Sequence, residues 1–285
     1  MAHPEVIGFY HEASGSIAYL VIDPATKHAA IVDPVLDYDE KAGRVSFEAA
    51  DELLAAIKQR GLTIDWILDT HAHADHFSAA SYLKEKLGAP IAIGEKITVV
   101  QQLWQKIYNL PSAFSATTWD KLFADGQSFK IGSLEARVML SPGHTPCSIT
   151  YVVGDAVFVH DTLFQPDYGT ARCDFPGGSA RELYHSIQAI LALPDNTRVF
   201  TGHDYKPGGR PAKWESTVAE QKRSNPHLKD HPSEEEFVKT REARDRSLPM
   251  PKLILHALQV NLRGGRLPPP EADGRSYLKI PIGAF

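Results

Sequence analysis

A seven-residue run, Thr70-His71-Ala72-His73-Ala74-Asp75-His76, constrains this chain more than any other stretch. Four ligand-capable side chains fall within six residues, separated only by alanines. The run follows Trp66-Ile67-Leu68, which reads as a buried strand, and precedes a helical pattern from about Phe77 to Leu87 that Gly88 and Pro90 end. At a strand end, residues two apart share a face, so His71 and His73 point the same way, and Asp75 and His76 fall in the following turn. Imidazoles with a carboxylate suit zinc, iron or manganese, whereas oxygen-only ligation would suit magnesium or calcium. Three more candidates each follow a predicted strand: His144 after Val138-Met139-Leu140, Asp161 after Val157-Phe158-Val159, and His203 after Val199-Phe200-Thr201. Taken singly, a strand-end histidine is commonly a hydrogen-bonded surface group and a strand-end aspartate a cap. Beside the four-residue cluster, the three become a set. His160, next to Asp161, is expected to point to the opposite face of its strand.

The rest of the chain reads as short strands and amphipathic helices in one layered α/β domain. Hairpin signals lie at Asp23-Pro24-Ala25-Thr26, Gly132-Ser133 and Gly154-Asp155. Helical spacing marks Phe47 to Ile57 (stopped by Gly61), Ile97 to Leu110, and a polar stretch from Trp214 to Arg223. Ser179 to Glu182 and Ser233 to Glu236 read as capping boxes. The expected organisation is a domain over 1–248 and a C-terminal extension over 249–285 packed on it, with an irregular strap around Pro268-Pro269-Pro270. The 285 residues carry a net charge of -5, which excludes the global basic field a nucleic-acid binder needs. No apolar stretch approaches the ~20 residues of a membrane span. Met1 to Glu5 shows no basic region leading into an apolar core, and two cysteines make no disulfide framework, so the cytoplasm is the expected compartment.

The chain is similar to the metallo-β-lactamase superfamily along nearly its whole length. Thr70 to His76 resembles that family's first ligand motif, Ser141-Pro142-Gly143-His144-Thr145 its second, and His160-Asp161-Thr162-Leu163 its bridging-aspartate segment. The resemblance implies an αββα sandwich with metal at one edge. All seven ligands of the dinuclear hydrolases are present: His71, His73, His144 and Asp161 for one ion, and Asp75, His76, His203 and the shared Asp161 for the other. Ligands alone therefore allow a glyoxalase II-like enzyme with two Zn(2+) that hydrolyses glutathione thioesters.

The downstream sequence resembles persulfide dioxygenases instead, nearest to bacterial proteins of the β-lactamase-like hydrolase type linked with sulfide detoxification. The likeness lies in Gly202-His203-Asp204-Tyr205, Thr217 to Leu228, Leu248-Pro249-Met250-Pro251 and Asn261-Leu262-Arg263. It implies one Fe(2+) per chain on His71, His144 and Asp161, a two-His-one-carboxylate face open to sulfur and dioxygen. His73, Asp75, His76 and His203 then orient those ligands or hold a second ion. The implied reaction oxidises glutathione persulfide with O2 to sulfite and glutathione. Arg172 matches a family arginine that contacts glutathione, and Tyr205 a tyrosine near the iron; with Asp75, Tyr205 is the expected catalytic residue. The plain alternatives are a surface ion pair for Arg172 and a packing role for Tyr205. Cys173 reads as a bystander. A homodimer is the family's expectation. The stretches 97–123 and 164–171 depart from shorter family members and are expected to border the substrate mouth.

Overall fold

The computed structural model describes residues 3–110, 114 and 118–283. Five strands open the chain: β1 (Glu5–His11), β2 (Ser16–Ile22), β3 (His28–Val32), β4 (Val35–Asp39) and β5 (Arg44–Ser46). Then come α1 (Glu48–Arg60), β6 (Thr63–Leu68), β7 (Phe77–Ser78), α2 (Ala80–Leu87), β8 (Ile91–Gly94), α3 (Ile97–Ile107) and β9 (Lys121–Phe123). The second half holds β10 (Ser128–Ile131), β11 (Leu134–Leu140), β12 (Ile149–Val153), β13 (Ala156–His160), α4 (Ala180–Leu191), β14 (Arg198–Thr201) and β15 (Glu215–Thr217). Three helices close it: α5 (Val218–Ser224), α6 (Glu234–Asp245) and α7 (Ile254–Asn261).

Two six-stranded sheets, β1-β2-β3-β6-β8-β9 and β10-β11-β12-β13-β14-β15, face each other, and β5-β4-β7 form a small third sheet. Strand β2 shows how the layers arise. Its alternate residues Ile17, Tyr19 and Val21 enter the core between the sheets, while Ala18, Leu20 and Ile22 join the core under α1, α2, α3 and α7. A strand buried on both faces reads as a continuous apolar run, and β2 is buried throughout. On the far side, Val157, Val159 and Val199 pack against Leu183, Ile187 and Ile190 of α4, Val218 of α5 and Phe237 of α6. The result is the expected αββα sandwich.

Several boundaries differ from expectation. The helix expected from Phe77 starts at Ala80, because Phe77 and Ser78 pair with Leu36 and Val35 and the Phe77 ring stacks on Tyr38 at 4.3 Å. Residues 215–217 are strand rather than helix: β15 pairs with β14, and Thr217 starts α5 with a complete capping box to Glu220. The box at Ser233 and Glu236 is complete, and Gly61 ends α1 in the left-handed conformation. The extension over 249–285 is helical near its start. Its helix α7 contributes Ile254, Ala257, Leu258 and Val260 to the helix-side core.

Candidate metal centre

The three candidate ligands outside the cluster lie just past β11, β13 and β14, and the His71–His76 run follows β6, so the loops meet at one edge of the sandwich. His71, His144 and Asp161 each bring one ligand atom within 4.8 Å of the others, and His73, Asp75 and His76 form a second such group. Asp161 Oδ2 lies 3.6 Å from His144 Nε2 and 3.9 Å from His71 Nε2. His203 spans the two groups: its Nδ1 meets Asp161 Oδ1 at 2.5 Å and its Nε2 meets Asp75 Oδ2 at 2.7 Å. Ser16 donates to the same Asp75 oxygen at 2.8 Å.

Each remaining imidazole has one nitrogen committed and the other directed elsewhere. His71 Nδ1 is 3.0 Å from Thr70 Oγ1, His76 Nδ1 donates to the Phe77 carbonyl at 2.9 Å, and His144 Nδ1 donates to the Arg172 carbonyl at 2.9 Å. His73 uses the opposite nitrogen, Nε2, against Asp33 Oδ1 at 2.9 Å. The other nitrogens of His71, His73 and His76 are buried and, among the described residues, have no hydrogen-bond partner. Buried polar atoms are rarely left unpaired, and three at one site among carboxylates fit a metal that would complete them. Burial drives His71, His76 (to about 4) and His144 toward the neutral form that a metal ligand requires. Burial also opposes the cation on His203, but Asp161 and Asp75 outweigh it and hold that ring well above its usual range. Burial raises the Asp161 carboxyl; His203 outweighs this and brings it to about 2.

The loops are held from outside the cup. Gly143 has φ +131, and a Cβ there would fall 2.3 Å from the Leu183 backbone nitrogen, so only glycine lets α4 sit directly on the His144 loop. Asn261 of α7 donates to the carbonyls of His73 and His76, both at 2.8 Å, and accepts from the Ser78 N–H at 2.7 Å. Asp33 accepts from the Thr70 N–H and hydroxyl as well as facing His73. Asn261, Asp33 and Ser16 had no expected role at the site, although Asn261 stands in the Asn261-Leu262-Arg263 stretch quoted above and Asp33 ends an apolar strand as Asp161 does.

A cavity of about 520 Å3 opens onto the cup, lined by Asp75, His76, His144 and Asp161 and by Phe164, Tyr168 and Tyr205 among others. The expected border role thus fits 164–171. It does not fit 97–123: among the described residues none of that stretch lines the cavity, because α3 turns Val100 and Trp104 into the helix-side core. Residues 111–113 and 115–117 of that stretch lie outside the described residues. Tyr205 is 47% exposed, so it is no core tyrosine; its ring lies parallel to that of His203 at 5.7 Å. Arg172 lines the cavity, but its fork is taken: Nε and Nη2 each donate to Asp174 at 2.7 Å, and Nη1 donates to the Pro249 carbonyl at 2.6 Å. His160 departs from strict alternation. A bulge between Phe158 and His160 and a left-handed φ of 44° bring its ring within 5.1 Å of His71, with Nε2 on Ser141 and Thr162. Cys147 and Cys173 are buried free thiols, and burial raises both. No helix of the described residues is long and apolar enough to cross a membrane.

Paired sheets between helical layers, with imidazoles and carboxylates converging at one edge, define a metal-binding protein of the αββα class. Residues 14–203 match the metallo-β-lactamase superfamily model, and the chain belongs to that superfamily. It is 62% identical to a β-lactamase hydrolase-like protein of Xylella fastidiosa, a match that takes in 99% of this chain and 65% of that protein; the chain thus spans just under two thirds of that relative's length. It is 48% identical to glyoxylase B2 of Dictyostelium discoideum, over 98% of this chain and 96% of the other. It is 30% identical to the human mitochondrial persulfide dioxygenase ETHE1, over 90% and 87% respectively. The crystal structure of ETHE1 from Myxococcus xanthus, 32% identical, superposes with a TM-score of 0.74 and covers 92% of this chain and 100% of that one.

Proposed function

We propose that the chain is a persulfide dioxygenase with one iron held by His71, His144 and Asp161. The observation that carries this reading is the grouping of ligand atoms. The two histidines and the carboxylate stand together, while His73, the third histidine a dinuclear site would need there, groups instead with Asp75 and His76 and also with Asp33 and Asp69. Two histidines and one carboxylate suit non-haem Fe(II) and leave positions open. The likeness to the Myxococcus xanthus ETHE1 structure and to the human ETHE1 sequence supports the same reading. The overall reaction is glutathione persulfide + O2 + H2O → glutathione + sulfite + 2 H+, in which the outer sulfur gives up four electrons to dioxygen. When bound, iron(II) would supply the open positions at which sulfur and dioxygen meet.

The chain's own groups do the rest. Asp161 turns Oδ2 to the ligand trio while His203 holds Oδ1, and Asp75 with Ser16 fixes His203 from behind. Tyr205 lines the cavity beside His203, and its phenol O–H would donate to a bound sulfur or oxygen. Phe164, Tyr168 and Tyr205 form an aromatic wall, with the Tyr168 and Tyr205 rings 5.0 Å apart, against which the apolar part of a thiol carrier can pack.

A second reading has its own observation. His73 and His76 each keep a buried unpaired nitrogen beside Asp75, which would suit a second ion, and glyoxylase B2 is the name of a 48% identical relative. That reading is a dinuclear zinc hydrolase of a glutathione thioester. Metal analysis of protein purified without added metal separates the two. About one iron per chain, with oxygen uptake and sulfite release from glutathione persulfide, bears out the dioxygenase. Two zincs, with thioester hydrolysis undiminished under argon, overturns it.

A further inference from the structure

The cavity beside the metal cup is lined by four Lys or Arg side chains: Arg172, Arg241, Arg244 and Lys252. Three are already neutralised. Arg172 is forked onto Asp174, Arg241 is buried and paired with Asp245 four residues on, and Lys252 meets Glu40 at 2.6 Å. Arg244, in the last turn of α6, is exposed, and among the described residues its guanidinium has neither an ion pair nor a hydrogen bond. Asp230 lines the small hollow on the other side of Arg244 without pairing to it. The backbone around Arg244 is fixed, because the next residue, Asp245, accepts from both Arg241 and the Cys173 N–H. The unpaired guanidinium therefore stands on a held helix end in the cavity lining, where the other three cations are already paired.

We infer that Arg244, not Arg172, takes the carboxylate of the thiol carrier, and that the cavity selects peptide-like thiols with an acidic end. The inference rests on the reading of this cavity as a glutathione-derivative site, and it applies equally to a persulfide and to a thioester. Physically, a guanidinium already bonded on both edges must break those bonds to receive a new carboxylate, whereas an unpaired one loses only water. About 520 Å3 also accommodates a ligand of tripeptide size.

The test uses the metal-loaded protein and calorimetric titration with S-methylglutathione and with its diethyl ester, which keeps the shape and removes the carboxylate charges. The wild type should bind the acid about fivefold more tightly than the ester. Arg244→Met should lose that advantage and bind both alike, Arg244→Lys should keep part of it, and Arg172→Met should keep most of it. Equal wild-type affinity for acid and ester, or loss of acid binding in Arg172→Met but not in Arg244→Met, overturns the inference. Thermal midpoints of each variant guard against a folding defect being read as lost binding. Because the titration needs neither oxygen nor turnover, a failure of the dioxygenase reading would show separately, as absent oxygen uptake beside intact acid-selective binding.

Discussion

Replacing Arg210 by Met would remove a clamp between two loops of the cavity wall. One edge of the guanidinium takes Asp167, through Nε at 2.6 Å and Nη2 at 2.8 Å; the other takes Asp204, through Nη1 at 2.6 Å and Nη2 at 2.9 Å. The two halves are unequal. The Asp167 side chain is 50% exposed, so that pair is screened and contributes about 0–1 kcal/mol. The Asp204 side chain is 1% exposed, and stripping a buried carboxylate of its partner costs about 3–5 kcal/mol. The Lys213 N–H, at 2.7 Å, still donates to Asp204 in the variant, so the lower end applies. The expected loss is about 3 kcal/mol, or roughly 6 °C in Tm for a chain of this size. Calorimetry of Arg210→Met, Asp204→Asn and the double variant gives the coupling, expected near 2 kcal/mol. Because Asp167 and Asp204 flank Tyr168 and Tyr205, substrate KM should rise while metal content stays unchanged. A Tm within about 1 °C of wild type together with coupling below about 0.5 kcal/mol would refute the clamp.

Asp161→Ala removes one of three proposed protein ligands and should leave the protein nearly free of iron; full occupancy by elemental analysis would rule out the assignment. Asn261→Ala strips partners from the Ser78 N–H and from the His73 and His76 carbonyls, and should cost about 2–4 kcal/mol in urea unfolding and about tenfold in metal retention against a chelator. Unchanged retention would mean α7 does not govern the ligand loop. Asp23 is the pH-sensitive tie between the β2–β3 and β10–β11 turns. Burial raises its carboxyl, but Ser133 (hydroxyl and N–H), Thr26 and the Ala25 N–H outweigh that and hold it well below the usual range. Its stabilisation is therefore full above about pH 4 and lost as pH falls through the depressed folded value. Asp23→Asn should lower Tm at pH 7 and flatten the acid limb of the Tm-against-pH curve; a parallel limb would argue against the tie.

What was readable from the residues alone were the features whose physics is local. The spacing within Thr70–His76, the strand ends at His144, Asp161 and His203, and the helix stop at Gly61 each depend on a few neighbouring residues. Asn261 reaches the His73 carbonyl across 188 positions, and Asp33 reaches His73 across 40; no periodicity announces either. Strands β1, β4 and β5 escaped the pattern because they are short or half-buried and lack clean alternation. His160 followed the strand rule until a bulge broke it. Arg172 illustrates a further limit: its type suits a carboxylate ligand, yet the nearest carboxylate turned out to be Asp174, two residues along its own chain.

The tethering of His71, His73, His76 and His144 has a kinetic consequence. With one nitrogen of each ring fixed on a hydroxyl, carbonyl or carboxylate, the angle of the other is settled before any ion arrives. Uptake should then be limited by shedding of the ion's hydration shell, and a chain stripped by chelation should reload without refolding.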